Sequence, residues 1–194
     1  MHIEKLRELY IAELDELYSA ERQLVEALPK FANHATTLEL KTAFETHLGE
    51  TKQHVHRLDH VFETLETRPS GRHSTMMERL IEKTQELVVD ETPGDVLDAA
   101  LIARAQHVEH YEIAGYGTLK TYAILLGEVG HLRLFQQTLH EEAVTDDWFT
   151  EIAHEAIDIG AAIRCVAKRE VSDRDVVRRP EFDRLSLQAR LGDT

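Results

Sequence analysis

Four long stretches of this chain repeat apolar residues every three or four positions, and turn residues interrupt them at few places. That period is helical, and its length leaves little room for strands. The first stretch covers about residues 3–33 and lines up Leu6, Tyr10, Leu14, Leu17, Leu24 and Leu28; Pro29 is expected to bend or end it. The second covers about 38–66 with Leu40, Phe44, Leu58, Val61 and Leu65, after which RPSGRHS (68–74) breaks the pattern. A shorter amphipathic piece, MMERLIEKTQELVVD (76–90), precedes the third long stretch, about 96–126, for which Asp95 reads as the N-cap. GEVGH (127–131) reads as a turn, and the fourth stretch covers about 131–168. The order long, long, short, long, long puts a brief link inside each hairpin and a long crossover between them. An all-α, ferritin-like four-helix bundle, with an extra short helix in the crossover, has that connectivity. Residues 1–168 are expected to form the bundle and 169–194 a polar C-terminal extension.

Composition agrees. Only 4 prolines and 9 glycines occur in 194 residues, and 42% of the chain is hydrophobic, enough for one sizeable core. With 22 Lys and Arg against 36 Asp and Glu, the formal charge is −14, which repels phosphate backbones and anionic lipid. Nucleic acid and membrane are therefore not expected as partners. A single cysteine, Cys165, excludes an internal disulfide or a Cys-x-x-Cys site. The charged start MHIEKLRELYIAELDEL has no signal-peptide core, so a soluble cytoplasmic protein is the expectation.

Acids occupy places where such helices are usually apolar. Glu21 falls within roughly 60° of Leu14, Leu17, Leu24 and Leu28 on a helical wheel. Glu142 does the same among Phe135, Leu139 and Phe149. Glu109 and Glu112, in QHVEHYEIAGYG, share a face with Ile102, Ala105, Tyr116 and Ala123. Glu50 lies at the edge of its stripe, and His54, one turn on, is nearer the middle. Even one poorly solvated charge is penalised by several kcal/mol, so these acids must be protonated, paired with bases or neutralised by cations. Lys and Arg fall mainly on the polar faces. Two metal ions would balance the acids directly. The other histidines, His131, His107 and His110 among them, read as mostly solvated, and Trp148 and Phe62 as core or interface residues.

YSAERQLVEALPK (18–30), HLGET (47–51), DAALIARAQHVEHYEIAGYGTL (98–119) and TLHEEAVTD (138–146) resemble the YciE/YciF-type family of ferritin-like proteins, over about residues 4–160. The resemblance implies a homodimer with a rubrerythrin-like di-iron site and an association with bacterial stress. By that pattern Glu21, Glu50, His54, Glu109, Glu112 and Glu142 are the metal ligands. The chain departs from it twice: His54 follows Glu50 by four residues instead of three, and Thr145 stands where the fourth helix would carry histidine, with Asp146 next to it. Carboxylates with imidazole suit two iron ions, or manganese. Tyr18, Tyr111 and Tyr116 lie near these positions, as hydrogen-bonding or redox neighbours or as packing.

Two functions follow from these expectations. The first is a non-haem di-metal protein that reacts with O₂ or peroxide in stress defence, with a separate electron donor because the chain has no cysteine-rich domain. The alternative is a non-enzymatic dimeric stress or partner-binding bundle with a structural or vestigial metal site. Iron storage in a cage and DNA protection rank below both, since nothing requires a cage and the net charge opposes DNA.

Overall fold

The computed structural model describes residues 3–87 and 94–176, with side chains to Glu155. The order is α1 (Ile3–His34), α2 (Leu38–Thr64), α3 (Thr75–Glu86), α4 (Gly94–Leu126) and α5 (Val129–Val176). No strand occurs among the described residues, and no described helix is long and apolar enough to cross a membrane.

Each helix begins or ends for a local reason. Pro29 does not terminate α1, which continues to His34. The α2 helix stops two residues before expected because Glu66 takes a left-handed φ of 50°. Thr67 N then bonds Phe62 O at 3.1 Å and Glu66 N bonds Glu63 O at 3.0 Å, the paired bonds of a Schellman end. The α4 helix ends the same way. Gly127, at φ 76°, supplies the left-handed residue, with Glu128 N on Ala123 O at 2.9 Å and Gly127 N on Ile124 O at 3.2 Å. Ser74 caps α3 by accepting from Met77 N at 3.2 Å. Asp95 sits in the first turn of α4, since the helix already includes Gly94. Residues 88–90 of the expected crossover helix lie outside the described residues, as do 177–194 of the expected extension; α5 itself continues past 168 to Val176.

Helix directions follow from contacts at the two ends. His131, at the start of α5, bonds both Tyr10 near the start of α1 and Thr64 at the end of α2. At the opposite end, Phe31 of α1 packs on Phe44 of α2, and Phe44 packs on Phe149 of α5. Helices α1 and α5 thus run one way, α2 and α4 the other. Parallel α2 and α4 need the long crossover, which carries α3. Asp98 anchors the α4 entry by accepting from Thr36 N (2.8 Å), Thr37 N (2.9 Å) and Thr36 Oγ1 (2.9 Å).

The apolar interior is two clusters. One holds Leu24, Leu28, Phe31, Phe44, Leu101 and Phe149; the other holds Tyr10, Leu14, Leu17, Leu58, Tyr116 and Phe135. Full burial of each such side chain stabilises the fold by about 1.5–3 kcal/mol. Between the clusters, every long helix interrupts its apolar run. The interruptions hold Glu21 on α1, His47 and His54 on α2, Glu109 and Glu112 on α4, and Glu142 on α5, all buried. Gly115 admits the close approach there: a Cβ at this position would meet Leu17 Cδ2 at 2.8 Å.

Candidate metal centre

The interrupted stretches meet as one polar layer across the bundle. Carboxylate or imidazole atoms of His47, Glu109, Glu112 and Glu142 lie within 4.8 Å of one another, and so do those of Glu21, His54 and Glu142. Glu142 belongs to both groups. His47 Nε2 is 3.3 Å from Glu109 Oε1. His54 Nδ1 is 2.9 Å from Glu142 Oε1 and 3.3 Å from Glu21 Oε1. Despite this crowding, Glu21 Oε2, Glu109 Oε2, both oxygens of Glu112, Glu142 Oε2 and both nitrogens of His47 have no hydrogen-bond partner, while His54 Nδ1 and Glu142 Oε1 face each other at 2.9 Å. Buried polar atoms are seldom left so, and this many in one place call for a shared cause.

Electrostatics points the same way. Burial, then the charge of Glu142, pushes the Glu109 carboxyl well above its usual range. Burial, then Glu21 and Glu142, does the same to Glu112. Burial also opposes ionisation of Glu142, but the adjoining His54 imidazole outweighs it and holds this carboxyl low. For His54 burial disfavours the cation, yet Glu21, Glu141 and Glu142 overcome it and raise its pKa to about 12. Burial lowers the pKa of His47, keeping a neutral imidazole suited to binding a cation. No arginine or lysine pairs with these acids among the described residues; Arg57 instead forks onto Glu141, with Nη2 to Oε1 at 2.9 Å.

The surroundings fix the layer. Glu141 Oε2 is 3.0 Å from His54 Nε2, which turns Nδ1 toward Glu21 and Glu142. Tyr116 Oη donates to Glu21 Oε1 at 2.5 Å. Tyr111 Oη donates to Glu16 Oε1 at 2.9 Å, away from the layer, and Tyr18 packs edge-on against Phe62.

Of the six residues expected from sequence, five converge: Glu21, His54, Glu109, Glu112 and Glu142. Glu50 stands at the rim, its side chain 34% exposed, where its Oε2 accepts from Thr145 Oγ1 at 3.2 Å. Asp146 turns outward, to His110 Nε2 at 3.0 Å. The residue that sequence reasoning missed is His47. Its signal was present, since seven residues is close to two helical turns and places His47 and His54 on one face. His131 corrects the expectation of a solvated ring: it is 5% exposed and held between Tyr10 and Thr64.

These residues fit a cation. Ligand atoms on a first-row divalent ion lie about 2.0–2.2 Å from it, so opposite ones stand about 4.4 Å apart. Donors already within 4.8 Å need only a slight contraction. Four ionised acids, Glu21, Glu109, Glu112 and Glu142, match the charge of two divalent ions. The mixture of carboxylate with imidazole suits iron or manganese. Larger cavities lie elsewhere: one of ≈ 380 Å³, lined by Tyr18, Arg22, Arg72 and His73 among others, opens on the surface between α1 and the 68–74 loop. A void of ≈ 10 Å³ touches Glu109, with walls of Leu24, Leu28, Phe31, Phe44 and Val108.

Comparison with known proteins agrees with this architecture. Protein YciF of Escherichia coli K12 is 42% identical over 154 residues, which is 79% of this chain and 93% of that protein. The crystal structure of the E. coli stress protein YciF superposes with a TM-score of 0.77 at 40% identity, covering 79% of this chain and 97% of that one. A Xanthomonas campestris protein shares the fold, with a TM-score of 0.64 at 23% identity over 82% of this chain and 97% of its own. The family model described as "Domain of unknown function (DUF892)" matches residues 5–162, so the chain belongs to that family.

Proposed function

We propose that the chain is a di-metal protein of the ferritin-like class that reacts with O₂ or peroxide in stress defence. One observation carries this: the buried donor atoms of Glu21, His47, His54, Glu109, Glu112 and Glu142 converge, and most of them have no hydrogen-bond partner. One ion would be held by His47, Glu109, Glu112 and Glu142, the other by Glu21, His54 and Glu142. Bound there, a pair of iron or manganese ions supplies redox chemistry toward O₂ or peroxide.

The protein's own contributions follow from the geometry. Glu142, shared by the two groups, ties them together. Tyr116 donates to Glu21 and so fixes which oxygen faces inward. Glu141, clamped by Arg57, orients His54. Glu109, Glu112 and His54 would give up protons on loading, because burial otherwise holds protons on the two carboxyls and the neighbouring acids hold one on the imidazole. The two apolar clusters exclude water on both sides of the layer.

A structural metal clamp without turnover is the second reading. It is favoured by the smallness of the void at Glu109 beside the cavity on the α1 surface. A homodimer and a separate reductant accompany the first reading.

The test is direct. Protein purified without chelator is analysed for metals, and iron(II) oxidation and peroxide consumption are followed for wild type and Glu109→Ala. Bound metal with turnover that Glu109→Ala abolishes supports the proposal. Bound metal without turnover selects the clamp. Neither metal nor any difference between the two proteins eliminates both.

A further inference from the structure

We propose that Tyr10 is a redox-active tyrosine, joined to the acid layer by packed aromatic rings and provided with its own proton acceptor, His131. The inference rests on the metal reading above, and goes beyond it by assigning an electron source within the chain. The path begins at the layer, where Tyr116 bonds Glu21. The Tyr116 ring centroid is 6.3 Å from that of Phe135, and Phe135 is 6.3 Å from Tyr10. All three rings are at most 1% exposed, so the path is shielded from bulk solvent.

The far end is arranged for a proton. Tyr10 Oη lies 2.9 Å from His131 Nδ1, and His131 Nε2 lies 2.6 Å from Thr64 Oγ1. Thr64 has one hydroxyl proton, which it donates to Val61 O at 2.8 Å. Thr64 Oγ1 therefore accepts from His131, and Nε2 carries the imidazole proton. That leaves a lone pair on Nδ1, to which the Tyr10 hydroxyl donates. Burial keeps this imidazole neutral, against the charge of Glu128 and with that of Arg7 and His60. Burial, with Glu128, pushes the Tyr10 phenol upward, so it releases its proton only together with an electron. A tyrosine kept for packing alone would need an acceptor for its buried hydroxyl but not the ring path to the layer.

The electron balance is specific. Reduction of one hydrogen peroxide to two waters takes two electrons and two protons, and breaks the O–O bond. With a single ferrous ion held in the layer, the ion would account for one electron, and Tyr10 would supply the other through Phe135 and Tyr116. The Tyr10 O–H bond breaks, its proton moves to His131 Nδ1, and a neutral phenoxyl radical remains beside an imidazolium. Both protons that complete the waters come from solvent.

The experiment loads the full chain anaerobically with one equivalent of iron(II), mixes it with one equivalent of hydrogen peroxide, and freezes it for electron paramagnetic resonance. Bound iron and its oxidation are measured in the same samples. Wild type is expected to show an organic radical whose splitting changes with ring-deuterated tyrosine. Tyr10→Phe abolishes that signal while binding iron normally, and Tyr122→Phe leaves it unchanged. His131→Gln slows its formation by about a hundredfold or more, the scale of a lost proton acceptor. In metal-free protein, nitrogen NMR is expected to find His131 protonated at Nε2 and not at Nδ1. Iron bound and oxidised without a radical, a radical that persists in Tyr10→Phe, or the opposite His131 tautomer would overturn this inference alone. Failure to bind iron at all would overturn it together with the reading on which it rests.

Discussion

Glu112 is fully buried on α4 and neither of its oxygens has a partner. Glu112→Met keeps roughly the side-chain volume and removes both oxygens. An unpartnered buried polar group costs about 1–3 kcal/mol, so without metal the substitution should stabilise the chain by about that amount. For a domain of this size about 1 kcal/mol shifts the melting temperature by about 2–4 °C, so Glu112→Met is expected to melt about 2–12 °C above wild type in chelator. Manganese(II) closes that gap. A ligand present at about a hundred times its dissociation constant adds about 2.7 kcal/mol, or about 5–11 °C, to wild type. Glu112→Met should lose most of that gain. The assay is thermal unfolding by circular dichroism at pH 7, with and without the ion. If Glu112→Met melts below wild type in chelator, Glu112 is satisfied without metal, and the reasoning from orphaned carboxylates fails.

Three further outcomes are expected. Gly115→Ala forces a Cβ against Leu17 and should destabilise the fold by about 1–3 kcal/mol, read by urea unfolding. His47→Ala should weaken manganese(II) binding about tenfold or more in calorimetry, whereas Glu50→Ala, at the rim, should weaken it far less. The metal-free chain should also lose stability as pH rises. Burial raises Glu109 and Glu112 above the usual value of 4.5, so the folded chain holds protons that the unfolded chain has released. Their contribution is complete below 4.5 and is lost as pH climbs through the folded values. Urea midpoints measured in chelator from pH 5 to 8 should fall, and saturating metal should flatten the decline.

How much of this was legible in the sequence depends on what each residue answers to. Leu14, Leu17, Leu24 and Leu28 recur at a helical period, so the direction of Glu21 follows from the wheel alone. The same logic found Glu109, Glu112 and Glu142, because long helices fix the rotation of every residue they contain. Glu50 was harder, since it borders the stripe of α2 and only packing against α5 decides that it stays at the rim, whereas His47 shares the face of His54 and was legible. The end of α2 was misplaced because a left-handed Glu66 has no sequence signal of the kind glycine gives at Gly127. The end of α1 was read within a residue, and Pro29 does not cut it short because packing of Phe31 against Phe44 holds the helix on to His34. The burial of His131 depends on Tyr10 and Thr64, which are far from it in the chain and carry no local mark.

The central claim is that cations occupy the layer between the two apolar clusters. Anomalous diffraction from crystals grown without chelator, recorded on either side of the iron and manganese absorption edges, tests it most directly. The account predicts peaks enclosed by His47, Glu109, Glu112 and Glu142 and by Glu21, His54 and Glu142. A layer free of anomalous density, with its carboxyls protonated onto one another or onto ordered water, would contradict it.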